Sequence, residues 1–66
     1  MFEWRYLPRG RVAHAVRPGD SGASCGVTAP AADEWRGTGT QDEYERVAAL
    51  PACPRCTAQA GPRPAP

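Results

Sequence analysis

Cys53-Pro54-Arg55-Cys56 is the stretch that decides how this chain is read. Two cysteines with two residues between them, the first followed by proline, form the sequence of a metal-binding knuckle. A tight turn at that spacing aims both thiolates at one ion while backbone N–H groups donate to the sulfurs. A knuckle supplies only half of a closed tetrahedral site. The chain has one other cysteine, Cys25, and a single histidine, His14. His14, Cys25, Cys53 and Cys56 therefore make a complete ligand set with none left over. Imidazole plus three thiolates suits Zn2+, and a filled coordination sphere marks a structural site. One Zn2+ per chain is expected, since an iron–sulfur cluster usually wants four thiolates.

Working back from the knuckle, Thr40-Gln41-Asp42-Glu43 matches a capping box, with the Thr40 hydroxyl for the N3 amide and Glu43 reaching back to Thr40. The helix that it opens is expected from Gln41 to Ala49, with Tyr44, Val47 and Ala48 on the buried stripe. Acids in its first turn and Arg46 later complement the helix dipole. Pro51 stops it and delivers the chain to Cys53. Earlier, Asp33 to Gly39 carries Trp35 as its only large apolar residue, which is expected to tack this loop onto the core. Ser24-Cys25-Gly26 reads as a half-knuckle, because glycine after a ligating cysteine turns back cheaply with positive φ. Its missing partner is His14.

The N-terminal segment reads as a hairpin. Phe2 to Leu7 alternates apolar and polar through Tyr6, Pro8-Arg9-Gly10 supplies turn chemistry, and Arg11 to Val16 forms the second strand. A period of two puts Val12, His14 and Val16 on one face and Arg11, Ala13 and Ala15 on the other. His14 is thus expected to face a small core.

Sixty-six residues allow one domain with a thin core, a size at which a metal, disulfides or a partner is usually needed. The module is expected over 1–57, and the Pro/Ala-rich 58–66 as a disordered tail with at most a helical turn after Cys56. Three cysteines cannot all pair, which argues against a secreted disulfide scaffold. The first sixteen residues hold no apolar signal-peptide core, and no stretch approaches a membrane span, so no membrane association and a cytoplasmic location are expected. The net charge of +1 gives no general drive toward polyanions.

The bland reading of each feature stands beside the sharp one. His14 could be an ordinary half-buried strand residue and the cysteines packed or redox-active. Cys-Pro-x-Cys also occurs in disulfide oxidoreductases, but those place it at a helix N-terminus in a longer chain. Three thiolates around Zn2+ leave a net negative charge that Arg55, Arg11 or Arg17 could offset. The acidic pairs Asp33-Glu34 and Asp42-Glu43 are more simply a solvated loop and a first helical turn. No catalytic constellation emerges, so the chain is read as a non-enzyme. Two partner classes follow: another protein, met through the Trp4/Tyr6 strand or the Trp35 loop, or a nucleic acid met through Arg5, Arg9, Arg11 and Arg17.

His14, Ser24-Cys25-Gly26, Trp35-Arg36-Gly37-Thr38-Gly39-Thr40-Gln41, Glu43-Tyr44, Leu50-Pro51 and Cys53-x-x-Cys56 together resemble small actinobacterial zinc-finger proteins of the streptomycete type, over about residues 4–56. Basicity carried by arginine alone agrees with a GC-rich source. The resemblance implies the same His14, Cys25, Cys53, Cys56 zinc site and no defined activity. The expected fold is α+β: a small zinc finger with an N-terminal β-hairpin and one short helix before the knuckle.

Overall fold

A computed structural model of the chain describes residues 2–62. Two strands, β1 (Glu3–Arg5) and β2 (His14–Val16), pair antiparallel, and two short helices follow, α1 (Gln41–Ala49) and α2 (Pro54–Ala60). The architecture is the expected α+β arrangement, built on a hairpin with a helix ahead of the knuckle. The register sets Glu3 opposite Val16, Trp4 opposite Ala15 and Arg5 opposite His14. Each strand is shorter than the alternation suggests, and isolated bridges take over at the ends. Tyr6 pairs with Arg36 through two backbone hydrogen bonds of 2.8 Å, and Ala13 bridges to Ala52.

Both faces of β2 are covered. His14, Ala15 and Val16 are all buried, as is Ala13 just before them. The core gathers Ala15, Val16, Ala23, Ala29, Trp35, Cys53 and Cys56, with Phe2, Trp4, Leu7 and Val12 packed around it. Small residues dominate because the sulfurs and the imidazole occupy the space that larger side chains fill in an ordinary core.

Trp35 is 3% exposed and its indole N–H donates to the Ser21 carbonyl at 2.9 Å. The loop anchor expected at this position is therefore present. The same burial corrects the idea that the Trp35 loop, or Tyr6 at 7% exposure, presents an aromatic to a partner. Trp4 is half-buried.

α1 begins and ends where the capping box and Pro51 place it. The Glu43 amide donates to the Thr40 hydroxyl at 3.2 Å. The Glu43 carboxylate reaches back to Thr40 as expected, accepting from its hydroxyl, and it also accepts from the Gly37 N–H at 2.9 Å. It thus ties the preceding loop to the helix. The buried stripe also differs. Val47 is buried and Glu43 and Leu50 are half-buried, whereas Tyr44 is 64% exposed and Ala48 is exposed. The helix is rolled so that its Glu43–Val47–Leu50 side meets the protein, because the Gly37 turn lies directly under Val47. Gly37 has φ +135°, and a Cβ there would come within 2.9 Å of Val47 Cγ2 and 3.1 Å of the Trp4 carbonyl oxygen.

The helical turn expected after Cys56 is a full short helix. α2 has Pro54 at its first position, where proline's missing N–H costs nothing, and ends at Gly61 with φ +87°. Residues 58–60, assigned to the disordered tail, are helical, and Ala60 packs on the core. The tail's last positions, 63–66, lie outside the described residues. No helix among the described residues is long and apolar enough to cross a membrane.

Candidate metal centre

Three backbone segments deliver four side chains to one point. β2 carries His14. The Cys53 N–H donates to the Ala13 carbonyl and the Ala13 N–H to the Pro51 carbonyl, both at 2.8 Å, which seats the start of α2 beside the start of β2. On the other flank the Ser24 N–H donates to the Ala15 carbonyl at 2.9 Å. That bond holds the Ala23–Gly26 turn against the same strand. The turn closes through the Gly26 N–H to the Ala23 carbonyl at 3.0 Å, and Gly26 has the positive φ, +97°, anticipated for the residue after Cys25.

His14, Cys25, Cys53 and Cys56 each offer one ligand atom, and all four atoms lie within 4.8 Å of one another. His14 Nδ1 is 3.4 Å from Cys25 Sγ and 3.6 Å from Cys56 Sγ. A tetrahedral ion with Zn–S of about 2.3 Å and Zn–N of about 2.0–2.1 Å has N···S edges of about 3.5 Å. The two observed N···S spacings straddle that edge, so the donor set is compatible with a tetrahedral metal. His14, Cys53 and Cys56 are buried and Cys25 is half-buried. All three cysteines are free. Every residue singled out in the sequence for the metal arrives at the site.

Cys53 and Cys56 are set differently from a free-standing knuckle. Cys53 is the N-cap of α2 and Cys56 lies in its first turn, so the motif opens a helix. This removes one of the two grounds on which a thiol–disulfide oxidoreductase was set aside. A separate observation now favours a metal over a redox pair: a third thiol and an imidazole converge on Cys53 and Cys56.

Around the ligands sits a shell of donors that the sequence reading did not name. The backbone N–H groups of Val27 and Ala15 favour the thiolate forms of Cys25 and Cys56 respectively. Ser24 Oγ is buried and makes no hydrogen bond of ordinary geometry among the described residues, yet its hydroxyl acts on the Cys56 sulfur. A metal-bound thiolate would give this orphaned hydroxyl its acceptor. Burial pushes the Cys56 thiol up, but the Ser24 hydroxyl, the Ala15 N–H, His14 and Cys25 outweigh it and bring the pKa down from 9.0 to about 6. Cys25 moves the other way. Burial raises it first, the Val27 N–H opposes, and the neighbouring thiols Cys56 and Cys53 raise it further.

Trp35 closes the site from one side, its ring meeting the His14 imidazole edge-on with centroids 5.7 Å apart. Its status as the sole large apolar residue of its loop was the signal; its place beside the ligand was not legible. Three of the arginines have contacts of their own away from the ligands. Arg5 pairs with Glu3, Arg17 lies over the Phe2 ring at 5.3 Å, Arg46 lies over Tyr6 at 5.5 Å, and Arg11 and Arg55 are exposed.

The chain matches no family model, and neither curated proteins nor solved structures give a significant match.

Proposed function

We propose that this is a small protein stabilised by one structural Zn2+ held by His14, Cys25, Cys53 and Cys56, and that it works without catalysis as an adaptor for another protein. The observation that carries the metal reading is the ligand spacing: four soft donors within 4.8 Å, three of them buried, with N···S distances on a tetrahedral edge. Bound there, Zn2+ would cross-link β2, the Cys25 turn and α2. Four protein ligands fill the sphere, which leaves no place for an activated water and supports a non-catalytic role. The likeness to small actinobacterial zinc-finger proteins, carried by motif spacing alone, belongs to the same reading. Native mass spectrometry tests it directly: the folded chain should carry one Zn2+, and a folded chain without metal would refute the proposal.

The adaptor part is supported by what the core leaves outside. Tyr44 is 64% exposed in mid-helix, with Gln41, Glu45 and Ala48 exposed around it. A large ring in water on an otherwise economical chain is what a partner surface supplies. Tyr44→Ala, with half-buried Trp4→Ala as a second probe, should abolish capture of a co-purifying protein while leaving the fold intact. Retained capture in both would remove this role.

Nucleic-acid binding is the second reading. Arg9, Arg11 and Arg17 are exposed and keep it available, while Arg5 is committed to Glu3. Unchanged mobility of DNA and RNA at low salt, where non-specific affinity is strongest, would eliminate it.

A further inference from the structure

The four ligands are not equally protected, and the difference follows the architecture. Cys53 and Cys56 are fixed in the first turn of a helix, and His14 in a paired strand; all three are buried. Cys25 is half-buried and sits on a four-residue turn that β2 holds through the Ser24–Ala15 bond, with Gly26, Val27 and Thr28 exposed beyond it. Susceptibility of a cysteine to oxidation follows thiolate character and access. In a zinc-bound set all three sulfurs are thiolates, so access decides.

Cys25 and Cys56 also converge on one residue. The Ala15 carbonyl accepts from the Ser24 N–H, next to Cys25, and the Ala15 N–H favours the Cys56 thiolate. Both sulfurs lie within 3.6 Å of the same nitrogen, His14 Nδ1. Cys53 is anchored one step along, on Ala13.

The geometry points to a peroxide-triggered release of the metal, in which Cys25 is the attacking thiolate and Cys56 the resolving one. The inference rests on the zinc reading above and names its regulation. The Cys25 thiolate attacks one oxygen of the peroxide O–O bond, forming a sulfenic acid and expelling hydroxide or alkoxide, which takes up a proton. The Cys56 thiolate then attacks the Cys25 sulfur and displaces its hydroxide, which leaves as water after protonation. The two sulfurs have together given up one electron pair to the peroxide. Two thiolate ligands have become a disulfide, and His14 and Cys53 alone no longer hold the ion. The clamp between the Cys25 turn and α2 changes from a metal, which a thiol reductant does not open, to a disulfide, which it does.

The sequence permits an unambiguous test, because cleavage after arginine separates the three cysteines. Cys25 falls in 12–36 (Arg17-Pro18 resists cleavage), Cys53 in 47–55 and Cys56 in 56–66. The full-length zinc-loaded chain is treated with hydrogen peroxide, Zn2+ is followed with a chromogenic chelator, and the peptides are mapped without reduction. The expected result is release of the bound Zn2+ with 12–36 linked to 56–66, and recovery of zinc binding after reduction. Cys25→Ser should slow release by peroxide relative to the parent chain; should that variant fail to load zinc, mapping of the parent chain alone decides. Zinc retained under peroxide, a first linkage between 47–55 and 56–66, or sulfinic acid without linkage each overturns the inference while leaving the zinc reading standing. A folded chain that carries no Zn2+ before treatment overturns both.

Discussion

The Cys53 N–H donates to the Ala13 carbonyl at 2.8 Å, and this bond joins two positions forty residues apart by a single backbone step. Because Ala13 precedes His14 and Cys53 opens α2, the pairing brings an imidazole and two thiolates into one cluster without help from a large apolar core. The Ser24–Ala15 bond does the same for the third thiolate from the other flank. Strand β2 is therefore the rail on which the four candidate ligands are assembled, and a metal bound there would supplement the thin core of so short a chain.

Removal of the metal should unfold the protein. Structural zinc contributes about 10 kcal/mol or more in finger-sized peptides near neutral pH, more than a chain of this size holds in reserve. Chelation under reducing conditions is expected to collapse amide dispersion in NMR spectra, with recovery on adding Zn2+. Cys56→Ala should be unfolded even with Zn2+ present. A dispersed spectrum in excess chelator would show that packing alone holds the fold.

Gly37→Ala should destabilise the zinc-loaded protein by about 1–3 kcal/mol, since the backbone is in a region that only glycine adopts freely. The new Cβ would also meet Val47 Cγ2 at 2.9 Å and the Trp4 carbonyl oxygen at 3.1 Å. Gly19 provides the control. Its φ is +84° but nothing lies within 4 Å, so alanine there should cost about 1 kcal/mol, from conformation alone. Thermal unfolding of the two variants at equal zinc separates contact from conformation.

Much of this was legible in the chain, and the parts that were not have identifiable causes. The ligand set followed from counting cysteines and histidines, and the bounds of α1 from Thr40, Glu43 and Pro51, all local chemistry. The start of α2 was written in Pro54, a proline at a first helical position, but the pull of the knuckle pattern hid it. The roll of α1 was not written locally. Tyr44, Val47 and Ala48 form a valid helical stripe, and only the closeness of Gly37 to Val47 turns Tyr44 outward. Trp35 was legible as an anchor but not as a wall of the metal centre, because its contacts with Ser21 and His14 come from distant parts of the chain.

Trp35→Ala should cost about 3–5 kcal/mol, the range for removing a large buried aromatic, and Tyr44→Ala no more than about 0.5 kcal/mol. Trp35→Phe should fall between, keeping most of the ring but leaving the Ser21 carbonyl without its indole donor. Denaturant unfolding at fixed free Zn2+ measures all three. A large loss at Tyr44 would mean that the helix is rolled as its own periodicity suggests.

Zinc retention should fall as pH falls, because each thiol must lose its proton to bind. The fold brings the Cys56 thiol down from 9.0 to about 6, the Ser24 hydroxyl and Ala15 N–H overcoming burial. With the folded value below the unfolded one, the unfolded chain binds more protons between the two. The Cys56 contribution to stability is therefore complete above about 9.0 and is lost as pH falls through about 6. Cys25, raised above 9.0, acts in the opposite sense and only in alkali: its contribution is present below 9.0 and fades as pH climbs through its raised value. Zinc loss followed by a chromogenic chelator should thus be slight at neutral pH and steep on the acid side. Ser24→Ala removes a donor to the Cys56 thiolate and should move the loss to higher pH with little change in the fold. Coincident pH profiles for Ser24→Ala and the parent chain would show that the buried hydroxyl gives the thiolate no support.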